Sequence, residues 1–270
     1  MIMNENSLPR RSVLGTVAGS AAILAGCADR TAPETSGTRS DAIKDLSTGG
    51  YSIEVSLTDS VTIDSVTTIA PSGAEFNTQK VATGATRVEI EIGTEYDVGN
   101  YDIIAIRDGT QVDKESIEIR PNLTVKQIIV GSNYEGSIPD NLSYAEEQAL
   151  LTIENSGFGP DSATDLSFSG GVPNPTEPDK KRKSGIYDSS DGYGAAKEVA
   201  IPADGEIRFW STTRPFLFTG DGVTCAPETQ EKSATVDLEF GLSGKLGHQI
   251  DIQYTASESS NSCDVSITQG

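Results

Sequence analysis

The sequence predicts an all-β protein built from two β-sandwich domains, and three observations predict it. Apolar and polar residues alternate over short runs, the runs recur about every ten residues, and turn-forming residues separate them. In YSIEVSL, Tyr51, Ile53, Val55 and Leu57 fall on one face; in TRVEIEI, Val88, Ile90 and Ile92 do the same. YDIIAIR and ESIEIR continue the alternation, with turns at Pro71-Ser72-Gly73, Asp108-Gly109 and Pro121. The first domain is expected over residues 51–121 and the second, larger one over 122–270.

Asp97-Val98-Gly99-Asn100-Tyr101 fits the D-x-G-x-Y pattern of a tyrosine corner, followed by a strand, the Asp108-Gly109 turn and a second strand. This order resembles strands F and G of an immunoglobulin-like sandwich, in which the Tyr hydroxyl bonds back to nearby backbone. No Cys lies within residues 51–121, so its core would lack the antibody-type disulfide.

In the second domain LTVKQIIV reads as the first strand. A helical turn over 144–148 is one reading; a buried strand in ALLTIENSG, ending at Asn155-Ser156-Gly157, is the stronger one. DLSFSG, EVAIPADGEIRFW, ATVDLEFGLSG and HQIDIQYTA supply further strands. Leu151, Ile153, Asn155 and Gly157, then Pro202, Gly205 and Phe209, carry a resemblance to the CARDB-type immunoglobulin-like modules of archaeal and bacterial surface proteins. An insertion around 174–194 interrupts it. The resemblance implies a fold, and a fold alone implies no function.

The chain opens with MIMNENSLPRRSVLGTVAGSAAILAGC. The apolar run over 13–25 is shorter than the about 20 residues that span a bilayer, so it reads as a signal peptide. Arg10 and Arg11 ahead of it point to twin-arginine export. Together with Leu24-Ala25-Gly26-Cys27, the segment resembles the signals of twin-arginine-exported lipoproteins, especially those of halophilic archaea. Pro9 and Val13 stand where Ser or Thr and Phe are usual, which leaves the general secretory route open. The resemblance implies removal of residues 1–26 and a lipid on Cys27 that holds the protein to the outer face of the cell membrane. A lipid of two or more chains suffices for stable anchoring. Residues 27–50 are polar and small, and read as a flexible tether with a reach of about 25–30 Å.

Acidic residues outnumber basic ones 40 to 20, for a net charge of −20. Such a surface repels phosphates, which excludes nucleic acid as a partner. Two readings of the charge stay open: an ordinary acidic surface, or adaptation to high salt, where a Debye length of about 3 Å at 1 M quenches self-repulsion. With Cys27 assigned to lipid, Cys225 and Cys263 form an even pair, and outside the cytoplasm such a pair is expected as a disulfide. It would stabilise the fold by about 3–4 kcal/mol. Free thiols or metal ligation are the alternatives, but no zinc spacing is present and His248 is the only His. No metal or cofactor is expected.

RFWSTTRPFLF offers Arg208, Trp210, Phe216 and Phe218 as a patch for a sugar ring or a protein partner, unless these are core residues of neighbouring strands. Lys180-Lys181-Arg182-Lys183 is either a docking site for an acidic partner or a solvated loop. Asp191, Gly192 and Glu198 match late positions of a calcium loop, but Tyr187 stands at its first position. Asn122-Leu123-Thr124 and Asn141-Leu142-Ser143 are glycosylation sequons. His248 precedes Asp251 by three residues, and no G-x-S-x-G elbow surrounds any Ser. The expectation is a non-enzymatic surface lipoprotein that binds another surface protein or a polysaccharide. A substrate-capturing subunit of a transport or redox system is the alternative. A surface hydrolase is a second one, with no motif in its favour.

Overall fold

The structure, a computed structural model, describes residues 42–176, 184–187, 196–217, 229–256 and 263–269. These residues belong to one compact unit with two sandwich lobes. The first lobe contains β1 (Ile43–Gly49), β2 (Ser52–Leu57), β3 (Ser65–Ile69), β4 (Glu75–Lys80), β5 (Arg87–Glu91), β6 (Gly99–Arg107) and β7 (Thr110–Ile119). They form two antiparallel sheets, ordered β1-β2-β5 and β4-β3-β6-β7. Alternation does what it should: Ile53 and Val55 of β2, Val88 and Ile90 of β5, and Tyr101 and Ile103 of β6 all point into one core. Tyr101 is fully buried, and its hydroxyl donates to the Asp97 carbonyl at 2.9 Å, which is the tyrosine corner. Asp108 and Gly109, at φ 50 and 70, make the two-residue turn into β7. Positive φ at both centres matches the twist of the strands they join.

The second lobe contains β8 (Leu123–Val130), β9 (Ala149–Asn155), β10 (Asp161–Gly170), β11 (Ile186–Tyr187), β12 (Val199–Ile201), β13 (Gly205–Ser211), β14 (Gln230–Phe240), β15 (Gly244–Ala256) and β16 (Cys263–Gln269). Its sheets run β11-β13-β9-β8 and β12-β10-β14-β15-β16. Without β11 and β16, this is the strand order of the first lobe. In each lobe the first, second and fifth strands face a sheet built on the third and sixth. The chain is therefore an all-β pair of immunoglobulin-like sandwiches of matching topology. The second core is more aromatic, with Phe168, Phe209, Phe216, Phe240 and Tyr254 buried among aliphatic residues.

Two expectations change, and a choice between two readings is decided for the buried strand β9. Residues 43–49, read as tether, are the edge strand β1, and Ala42 and Ile43 are buried. A register shift between Ile43 and Asp45 breaks the two-residue period, so Ile43 and Leu46 do not look like one face in the sequence. The segment EVAIPADGEIRFW is not one strand: β12 pairs with β10 and β13 with β9, in opposite sheets, and the chain crosses over at Pro202 to Asp204. Only a 3-10 turn, Ala145–Glu147, occupies the place of the short helix.

Candidate functional site

The second lobe starts four residues after the first ends, and the two are held together at three places. The β1–β2 hairpin tip pairs with the β12–β13 tip: Gly50 N donates to Ala203 O at 3.2 Å and Ala203 N to Gly50 O at 2.8 Å. The Tyr96 hydroxyl of the first lobe donates to Pro160 O at 2.9 Å. Leu242, from the β14–β15 turn, packs on the first core.

Asn155 organises this seam. It is fully buried at the end of β9, and its amide is saturated. Oδ1 accepts from Asn122 N and Gly157 N, both at 3.0 Å. Nδ2 donates to Gly159 O at 2.8 Å and Pro202 O at 2.9 Å. The glycines that follow are required by close approach. A Cβ on Gly157 would lie 2.4 Å from Arg120 O, and one on Gly159 would lie 2.1 Å from the Tyr96 oxygen. The N-x-G strand ending noticed in the sequence is thus a joint. Asp161, also fully buried, supports the other side: Oδ1 accepts from Ser162 N and Leu242 N, and Oδ2 from Ser243 N and Oγ. Four donors replace water around that carboxylate and set the β14–β15 turn against the first lobe.

A groove of about 560 Å³ opens between the lobes, lined by Phe76, Glu95, Asp97, Ser162, Glu198 and Leu242 among others; among the described residues no Lys, Arg or His is in its wall. Its charge disfavours anions, and its carboxylates can accept hydrogen bonds from hydroxyls or cationic donors. Burial pushes the phenols of Tyr96 and Tyr101 up, Tyr96 further through the negative charge of Asp161. Both stay protonated at neutral pH and serve as donors to backbone carbonyls. Among the described residues no group of three or more His, Cys, Asp or Glu side chains is placed to hold a metal ion. His248 and Asp251, an odd number of residues apart on β15, project from opposite faces of that strand. Asp251 instead accepts from Ser233 Oγ at 2.7 Å.

The proposed aromatic patch is corrected. Trp210 and Phe216 are both buried, so they present no exposed surface. Trp210 does point away from the main core, as alternation requires, but residues 131–148 fold over that face. Leu142, Ala145, Leu150 and Tyr187 enclose it, and the Tyr134 ring meets it edge-on at 5.4 Å. Phe216 belongs to the main core, with its ring 6.4 Å from that of Phe168. Arg208 stays on the outer sheet face, paired with Glu206 at 3.4 Å. Asn122 and Asn141 are exposed, and Asn122 Nδ2 donates to Ser156 Oγ at 2.8 Å. Cys263 is disulfide-bonded at the start of β16. Arg10, Arg11, Leu24, Ala25, Gly26, Cys27, the basic run 180–183, Asp191, Gly192, Phe218 and Cys225 lie outside the described residues.

Sequence reasoning missed the exposed Phe158 at the seam, and Tyr51, expected on the apolar face of Ile53, Val55 and Leu57, precedes β2 and is exposed there. The sequence marks Gly157-Phe158-Gly159 as a turn, but not whether its ring would be covered.

No protein-family model matches the sequence, and no match is found among curated proteins. Similar solved structures include a β-glucuronidase of glycoside hydrolase family 2 (13% identity, 77% of this chain and 19% of that chain, TM-score 0.25). The BSP domain of a biofilm associated protein is another (12% identity, 78% and 28% covered, TM-score 0.24). A third is the human OSCAR ligand-binding domain (12% identity, 83% and 92% covered, TM-score 0.21). The chain thus corresponds to less than a third of the first two, and likeness at this level says nothing of activity or ligand.

Proposed function

We propose that this chain is a non-enzymatic lipoprotein of the cell surface, anchored through Cys27, whose two lobes act as a fixed body for binding or scaffolding. One observation carries the reading. The seam is closed by reciprocal backbone bonds at Gly50 and Ala203 and by the saturated amide of Asn155, which favours presenting a constant surface over closing around a substrate. Hinged capture needs residues that absorb large φ/ψ changes; here the linking residues are held by side-chain hydrogen bonds. The segment RRSVL and LAGC at 24–27 support export and lipidation, and a Cys225–Cys263 disulfide fits the same compartment.

Fractionation of cells that make the wild type and Cys27→Ser tests the reading, with external protease added to intact cells. The wild type is expected in membranes and cleaved from outside, and Cys27→Ser in the medium. A wild-type protein protected from protease in intact cells, or a Cys27→Ser protein that still partitions with membranes, overturns it. In non-reducing peptide maps, Cys225 and Cys263 are expected in one linked fragment.

A further inference from the structure

We propose that the seam carries a carbohydrate-binding platform, with Phe158 and Tyr51 stacking on the sugar rings of a neutral polysaccharide. The proposal rests on the surface-binding reading above and names its ligand class. Phe158 is 60% exposed, more than any other large hydrophobic residue described. It is also held still. Gly157 N donates to Asn155 Oδ1, and Gly157 O accepts from Asp204 N. Gly159 N donates to Arg120 O, and Gly159 O accepts from Asn155 Nδ2. Both neighbours of Phe158 are thus fixed at both backbone groups, so binding there costs little backbone ordering.

Tyr51, 37% exposed, belongs to the same construction. It follows Gly50, which pairs with Ala203; the next residue, Asp204, donates to Gly157 O, and Phe158 follows. Beside Tyr51 lies a groove of about 610 Å³ lined by Gly49, Gly50, Ser52, Glu89 and Glu91. The two carboxylates, on the outward face of β5, can accept hydrogen bonds from sugar hydroxyls and would repel an acidic polysaccharide.

The size of the apolar surface points to a sugar and not a protein. The exposed parts of two aromatic rings amount to about 200 Å², whereas each side of a stable protein interface buries about 800 Å². Tyr144, the other strongly exposed aromatic, is different: the Arg214 guanidinium covers its ring at 4.2 Å, and Arg214 is paired with Glu147.

Native gels cast with dextran, mannan, xylan or laminarin, run with the full-length protein in detergent, test the proposal. At least one polysaccharide is expected to retard the wild type. Phe158→Ala should weaken that binding about tenfold, Tyr51→Ala by less, and Phe158→Trp should retain it. Tyr144→Ala should leave it unchanged. Circular dichroism checks that each variant is folded. Absence of retardation in all four gels overturns the proposal, as does equal retardation of the wild type and Phe158→Ala. Self-association in sedimentation equilibrium that Phe158→Ala abolishes would assign the platform to a second copy and also overturn it. The gels leave Cys27 intact and the fractionation leaves Phe158 intact, so either reading can fail alone.

Discussion

The two lobes repeat one strand order, but the second extends each of its sheets by one strand. The first is a bare seven-strand frame whose core is aliphatic but for Tyr96 and Tyr101, tightened by the Tyr101–Asp97 corner. The second adds two strands, fills its core with aromatic rings, and folds residues 131–148 over an outer sheet face that would otherwise meet water. With Trp210 covered, the exposed aromatics among the described residues are Phe158 and Tyr51, where the lobes meet, and Tyr144. The buried polar groups Asn155 and Asp161 serve the joint. Each is fully hydrogen-bonded, which is the condition under which a buried polar group helps specify a structure.

Breaking a core is the strongest test of that comparison. Phe168→Ala in the second lobe should cost about 3–5 kcal/mol, and Ile103→Ala in the first about 2–5 kcal/mol. If the seam couples the lobes, each lowers one shared denaturation midpoint; two separated transitions would show lobes that fold independently. Asn155→Ala comes next. It strands two amide hydrogens and removes a donor from two carbonyls at the seam, so a loss of about 3 kcal/mol is expected in urea melts. It should also split a single transition into two. Gly159→Ala drives a methyl group into the Tyr96 oxygen and should cost about 1–3 kcal/mol by overpacking. Truncation of the opposing side chain, in Gly159→Ala with Tyr96→Phe, should recover part of it.

Tyr101→Phe removes one hydrogen bond and no packing, and should lower stability by about 1 kcal/mol, confined to the first lobe by hydrogen exchange. The smallest effect belongs to Asp102. Hydrogen bonds from Lys114 and then Ser116 hold its carboxyl below the usual range. The folded value is depressed, so the stabilisation is present above the unfolded carboxylate range and fades as pH falls through the folded value. Both partners are over a third exposed, so Asp102→Asn should cost a few tenths of a kcal/mol at neutral pH. Once pH has fallen below the depressed folded value, the wild type and variant should converge.

Much of this was legible in the sequence because strand pairing writes itself as a two-residue period. Val88 and Ile90, or Ile250 and Ile252, can only face one way when neighbours face the other. Asp97 to Tyr101 was readable because the corner is local, closed within five residues. Strand β1 was not, because its register shift breaks the period. Strand β4 was not either, because EFNTQK is an exposed edge with one apolar residue.

By itself the sequence determined the fold class, the tyrosine corner and the strands whose alternation is unbroken, since all three depend on near neighbours in the chain. The tertiary structure alone decided which aromatics meet solvent. Alternation tells which face of β13 carries Trp210, but the cover over that face comes from residues 131–148, far away in sequence. Phe158 is left exposed for the same reason. Gly157 and Gly159 are bonded to the nearby Asn155 and to Asp204 and Arg120, which are remote in sequence, and the turn they fix leaves Phe158 60% exposed.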